Sequence, residues 1–304
     1  MKLRSTHRTG FTLIELITTM AIIAMLSAIT IGAVARVRAS QMQRNTDQTL
    51  SKLQGAIDQQ WKALSDQVTK AKAAKQIPAA LMTYCGNDLD RAAALYMYAL
   101  ARREFPQNFA EATSAIVIGG LTLAPRSSFT TAIGAPAGLV DPYNEAAALL
   151  YLILSENSTG GALFNADDAT AGSRTNIVVR GVNCQVFRDS WGTPITYVRY
   201  AQNAELDAPP FVNSGLPAGN RDPLDPQRKL ANPWANQAGA ASAVAVASFD
   251  GRNKQPTVAS AGPNKNYLSS ASTIPYWNTA HPDGVYDGDN VVGYRLRRQG
   301  DRGY

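Results

Sequence analysis

Histidine and cysteine are nearly absent from this chain of 304 residues, which holds two of each. Two thiols cannot build a zinc site alone, and only His7 and His281 exist to help them. No G-x-S-x-G elbow, H-E-x-x-H pair or Walker loop occurs, so the usual signatures of hydrolases, metalloproteases and nucleotide-driven enzymes are missing. His281 stands in Ala280-His281-Pro282-Asp283-Gly284, where a lone loop imidazole is ordinarily solvated, and neither cysteine has a local base. The expectation is a protein without catalysis. Cys85 and Cys184 leave two readings open: one disulfide closing about 100 residues in an oxidising compartment, or two buried thiols.

Charge is also thin, at 17% against 45% hydrophobic residues, and no internal repeat is visible. The formal net charge is +6, but removing Lys2, Arg4 and Arg8 from it leaves +3. That remainder does not argue for a nucleic-acid surface. The same three cations stand before a segment, residues 11–35, whose only charge is Glu15. Residues 16–35 form a run of 20 uncharged, mostly apolar residues. At about 1.5 Å each they span roughly 30 Å, one hydrocarbon core. Basic residues ahead of the run favour a cytoplasmic amino terminus and a head on the far side. A secretory signal peptide would have a shorter apolar stretch and a small-x-small cleavage site, for which only Ala33 and Ala35 speak. A plain anchor leaves Glu15 unexplained. An ionised carboxylate at the start of a membrane helix costs several kcal/mol unless it is paired. A new amine at Phe11, made by cutting after Gly10, would supply the partner from a staggered neighbouring subunit.

Gly10-Phe11-Thr12-Leu13-Ile14-Glu15 followed by the apolar run resembles the prepilin cleavage and methylation motif of type IV pilins and type II secretion pseudopilins. The resemblance implies cleavage between Gly10 and Phe11 by a prepilin peptidase, N-methylation of Phe11, and Glu15 as the assembly carboxylate. It also implies an inner-membrane assembly platform, a homo- or hetero-polymer of pilin-like subunits, and membrane lipid as partners. The location it implies is the bacterial inner membrane, single-pass, with the amino terminus cytoplasmic and the head periplasmic, and then a filament. One departure is Gly32, where many members carry proline.

Beyond Arg36 and Arg38, the apolar residues Met42, Leu50, Leu53, Ile57, Trp61, Leu64 and Val68 recur at three- and four-residue steps. The pattern predicts one helix over 12–74, ended before Pro78, with an apolar first half and an amphipathic second half. Helices are predicted between 87 and 109, capped by Asp88 or Asp90 and limited by Pro106, and over 144–156. Loops are predicted at 124–142 and 157–175, and a proline-rich surface segment at 207–239. Strands are predicted at 176–182, 194–200, 243–249, 257–260 and 291–297. The fold class is therefore α+β and pilin-like: a long amino-terminal helix packed on a head with a helical insertion and a carboxy-terminal antiparallel sheet. The expected divisions are a cleaved leader (1–10), a transmembrane and polymerisation helix (11–35), its amphipathic continuation (36–78), the insertion (79–175) and the β-rich head (176–304).

A second resemblance lies late in the chain. Asp189-Ser190-Trp191-Gly192-Thr193-Pro194 is similar to the D-P-W-G-x-P strand entry of the major pseudopilin, with Ser190 in place of its proline. Ser260-Ala261-Gly262-Pro263-Asn264 and Asp287-Gly288-Asp289-Asn290 are similar to that family's final, calcium-binding loop. The resemblance implies a structural calcium ion near Asn264, Asp287, Asp289 and Asn290, although Asn264 stands where an aspartate is usual. Without it, these residues form a polar turn. The leading function is a structural subunit of a type II secretion pseudopilus or a type IV pilus-like filament. The alternative is a DNA-uptake pilin using the basic tail Tyr294-Arg295-Leu296-Arg297-Arg298-Gln299-Gly300-Asp301-Arg302. An anchored periplasmic enzyme has only chain length in its favour.

Overall fold

A computed structural model describes residues 12–155, 174–200, 229–230, 256–263 and 291–292. The chain divides into two compact units, Met1–Asn45 and Thr46–Tyr304. Helix α1 (Leu13–Ala73) is 61 residues long, so the predicted span is realised almost to the residue. It ends in a Schellman arrangement: Lys75 takes φ 56°, Gln76 N–H donates to Ala71 O at 2.8 Å, and Lys75 N–H to Lys72 O at 3.0 Å.

In the second unit, α1 contributes Leu50, Leu53, Ile57, Trp61, Leu64 and Val68 to a single core. Met42, expected in the same stripe, is 40% exposed. Short helix α2 (Ala79–Tyr84) follows Pro78. Helix α3 (Leu89–Glu104) is capped by Asp88, whose carboxylate accepts from Asp90 N–H and Arg91 N–H. It stops just short of Pro106, which limits it as expected because proline lacks the N–H that continuation requires. Helix α4 (Phe109–Thr113) restarts with Asn108 accepting from Glu111 N–H.

Strands β1 (Ile116–Ile118) and β2 (Leu121–Leu123) form a hairpin that the sequence reading missed. Its turn is Gly119-Gly120, both at positive φ, as a two-residue type I′ loop needs. The stretch 124–142, expected as loop, contains α5 (Ser127–Ile133). Helix α6 (Pro142–Ser155) matches its prediction within two residues. The strand expected at 176–182 instead covers the middle of a hairpin, β3 (Arg174–Val179) and β4 (Val182–Phe187). Arg180 and Gly181, at φ 49° and 79°, turn the chain where a continuous strand was read. Strands β5 (Thr196–Val198), β6 (Thr257–Ser260) and β7 (Val291–Val292) make an antiparallel sheet in that order. Helix α6 packs across β4 and β5. Most of segment 157–175, nearly all of 207–239 and the expected strand at 243–249 lie outside the described residues.

Two glutamines on α1 join helix to sheet. Gln54 donates to Pro256 O at 2.9 Å and accepts from Val258 N–H at 3.0 Å, so its amide pairs with the β6 edge as a neighbouring strand would. Gln60 donates to Ile153 O at 3.1 Å. Both are buried, where an unmet amide group costs about 1–3 kcal/mol; Gln54 is met at both ends, whereas Gln60 Oε1 has no partner.

Candidate functional site

The residues around Glu15 form a reciprocal cap on α1. Thr12 N–H and Thr12 Oγ1 each donate to Glu15 Oε2 at 2.9 Å, and Glu15 N–H donates to Thr12 Oγ1 at 3.3 Å. This is a capping box: a threonine before the first turn and a glutamate three residues on satisfy each other's backbone donors. Thr12 was not singled out from the sequence, although T-x-x-E ahead of an apolar run is the local signature of that cap. Gly10 and Phe11 lie outside the described residues.

Every residue from 12 to 42 is exposed. Among the described residues, α1 is the one helix long and apolar enough to cross a membrane, and none of its apolar window is buried. The threonine side chains of the run are satisfied within the helix. Thr18 and Thr19 donate to Ile14 O and Leu16 O at 2.9 Å each, and Thr30 donates to Leu26 O at 2.8 Å. A segment with its backbone bonded internally and its hydroxyls folded back can enter hydrocarbon. Gly32 is helical, with open space where a Cβ would stand.

In the second unit, the Asp189–Pro194 motif meets Ser260, the first residue of the second late motif. Asp189 Oδ1 accepts from Trp191 N–H at 3.0 Å and Thr193 N–H at 2.8 Å, closing the Asp189–Pro194 turn. Its other oxygen accepts from Ser260 Oγ at 2.6 Å, and that hydroxyl accepts from Gly262 N–H at 3.1 Å. Ser190 N–H donates to Thr46 Oγ1 of α1 at 3.1 Å. Burial pushes the Asp189 carboxyl above its ordinary range, against these hydrogen bonds. The turn is thus an anchor for the β6 end. The residues expected to hold calcium, Asn264, Asp287, Asp289 and Asn290, lie outside the described residues, as do His281 and the tail 294–302. Among the described residues, no group of three or more His, Cys, Asp or Glu could hold a metal ion.

Cys85 and Cys184 are both buried and free in this structure. Burial pushes Cys85 up to about 11 and raises Cys184 as well. A reactive cysteine needs the opposite shift.

Among the described residues, the buried carboxylates Glu111 and Glu145 each face an arginine. Glu111 accepts from Arg199 Nη1 at 2.9 Å and from Gln107 N–H at 2.9 Å, with Arg102 Nε at 3.4 Å. Burial alone would raise its carboxyl, but Arg199, Gln107 and Arg102 together bring it below the usual range. The Tyr197 hydroxyl donates to Pro106 O, and Arg199 N–H to Gln107 Oε1 at 3.1 Å. Fully buried Glu145 accepts from Phe109 N–H at 2.8 Å and Asp141 N–H at 3.1 Å, and pairs with Arg180 at 3.4 Å. These groups tie the helical part to the strands.

The family model for the prokaryotic N-terminal methylation motif matches residues 5–31. No curated protein and no solved structure matches the chain, so the likeness of its later part to the major pseudopilin finds no counterpart there.

Proposed function

We propose that this chain, whose amino terminus carries the prepilin-type methylation motif, is a structural subunit of a filament of the type II pseudopilus or type IV pilus kind. The carrying observation is Glu15, an acid within an exposed apolar run one hydrocarbon core long, directly after the Gly10-Phe11 junction. The cations of residues 1–10 hold that end in the cytoplasm of a bacterial inner-membrane protein. Prepilin peptidase cuts before Phe11 and leaves a methylated amine. In the filament that amine meets Glu15 of a neighbouring subunit, while apolar faces that lay in lipid pack against other copies. A paired charge in such surroundings fixes register more than it adds stability.

The supporting experiment is mass spectrometry of the purified protein. The expected amino terminus is N-methylated Phe11. A protein beginning at Met1, or beyond the apolar run, would refute the reading. Gly10→Ala should leave a precursor about ten residues heavier. Glu15→Ala should be processed normally and assemble poorly.

A further inference from the structure

The apolar part of α1 ends in two arginines that the filament reading does not use. Arg36 and Arg38 are exposed, and no acidic residue occurs between Glu15 and Asp47. Neither arginine therefore has an acid within a helical turn. Arg36 stands 21 residues beyond Glu15 on one continuous helix, which is about 31 Å at 1.5 Å per residue. With Glu15 at one face of a hydrocarbon core about 30 Å thick, Arg36 and Arg38 reach the headgroup layer of the opposite leaflet.

Two geometric features select the partner. At about 100° per residue the two side chains leave the helix about 200° apart, on opposite sides. A single protein groove would meet one of them, whereas an annulus of lipid meets both. Helical side chains also lean toward the helix amino terminus, which here is the membrane side. Both guanidiniums are directed back onto headgroups rather than away from them. Arg44 lies further out with Asp47 three residues on, so it is not part of this pair.

We infer that Arg36 and Arg38 form a binding site for anionic phospholipid headgroups in the leaflet opposite Glu15. The inference rests on the reading that α1 spans a bilayer. A guanidinium binds phosphate through paired N–H groups, and two on opposite sides gather negative headgroups around the exit of the span. The contact holds the processed subunit upright after its amino-terminal cations have gone, since no Lys or Arg then remains on the Glu15 side.

The test uses the processed chain, beginning at Phe11 and so without Lys2, Arg4 and Arg8, in nanodiscs of phosphatidylcholine containing 30% phosphatidylglycerol, with trace spin-labelled lipid of either headgroup. The motionally restricted fraction of each label is read by electron paramagnetic resonance. The site predicts a preference for labelled phosphatidylglycerol of about fivefold for each arginine fully engaged at low salt. That preference should fall to near unity in 1 M salt and in R36Q/R38Q. Equal restriction of both labels in the unaltered protein would overturn the inference, and so would a preference that survives R36Q/R38Q. Failure of the chain to enter nanodiscs at all would sink the spanning reading itself, and is seen separately as protein eluting without lipid.

Discussion

Glu145 offers the sharpest test of how the head is held together. Its carboxylate has no exposed surface and accepts from the backbone of Phe109 and Asp141 while facing Arg180. Three segments thus meet on one side chain: the start of α4, the entry to α6 and the β3–β4 turn. Glu145→Ala removes both acceptor oxygens, orphans the buried N–H of Phe109 and the half-buried N–H of Asp141, and leaves Arg180, whose side chain is 17% exposed, without its partner. Each orphaned donor costs about 1–3 kcal/mol, and breaking a buried pair from one side about 3–5 kcal/mol in all. Because these overlap, a loss of about 4 kcal/mol is expected. For a domain of this size that lowers Tm by about 8–16 °C. Glu145→Gln keeps one acceptor oxygen and the side-chain volume, so about half the loss should return. The assay is thermal unfolding of the detergent-solubilised chain followed by near-ultraviolet circular dichroism. A Glu145→Ala protein within 2 °C of the parent would show that these segments are held by apolar packing alone, and the clamp argument would fail.

Four further outcomes are expected. Gly119→Ala drives a Cβ into the Tyr84 ring at a residue with φ +52°, and should cost about 2 kcal/mol or more in urea unfolding; adding Tyr84→Ala should recover part of it, and an unaffected single variant would refute the contact. Glu111 is held below its unfolded carboxyl value by Arg199 despite burial, so the stability it contributes is present above about pH 4.5 and lost as pH falls through the lower folded value. The Tm gap between the parent and Glu111→Gln should therefore close under acid, and a gap constant from pH 6 to 3 would refute the pairing. Cys85, pushed up to about 11, should react with a thiol reagent at pH 8 about a hundredfold more slowly than an ordinary cysteine until the protein is unfolded; prompt labelling, or no free thiol in denaturant, would contradict two buried thiols. Calcium at Asn264, Asp287, Asp289 and Asn290 is proposed on sequence alone. A chelator added at 100-fold saturation should remove about 2.7 kcal/mol of stability, and an unchanged Tm would end that proposal.

What the sequence displayed was the part whose causes are local. Helix α1 follows from an unbroken apolar run passing into a three- and four-residue stripe, and both signals sit inside the helix itself. Asp88 before α3 and Pro78 after α1 are likewise read from neighbours. The two hairpins escaped because strands of three to six residues give too few alternations to show a period. Their turns were nevertheless written in Gly119-Gly120 and Arg180-Gly181. Gln54 was illegible for a different reason. On a helix it reads as solvent-facing, and only a strand about 200 residues away makes it a core residue. Buried polar pairs of that kind carry no local pattern.

Thr12 changes the physical account of Glu15. On sequence alone the carboxylate looks bare, and relief of its burial would by itself drive pairing with a neighbour's amine. In the folded subunit Oε2 already accepts two hydrogen bonds from Thr12, so the isolated chain has settled part of that cost within its own first turn. An incoming amine must therefore compete with the cap, and the net gain is smaller than the several kcal/mol of a naked intramembrane acid. A small net gain from a strongly distance-dependent contact discriminates between registers without making the filament hard to dissolve, because a misplaced subunit returns to its cap at little loss. The selectivity of assembly then comes from the difference between two satisfied states of Glu15, and the bulk of its cohesion from the exposed apolar residues beyond it.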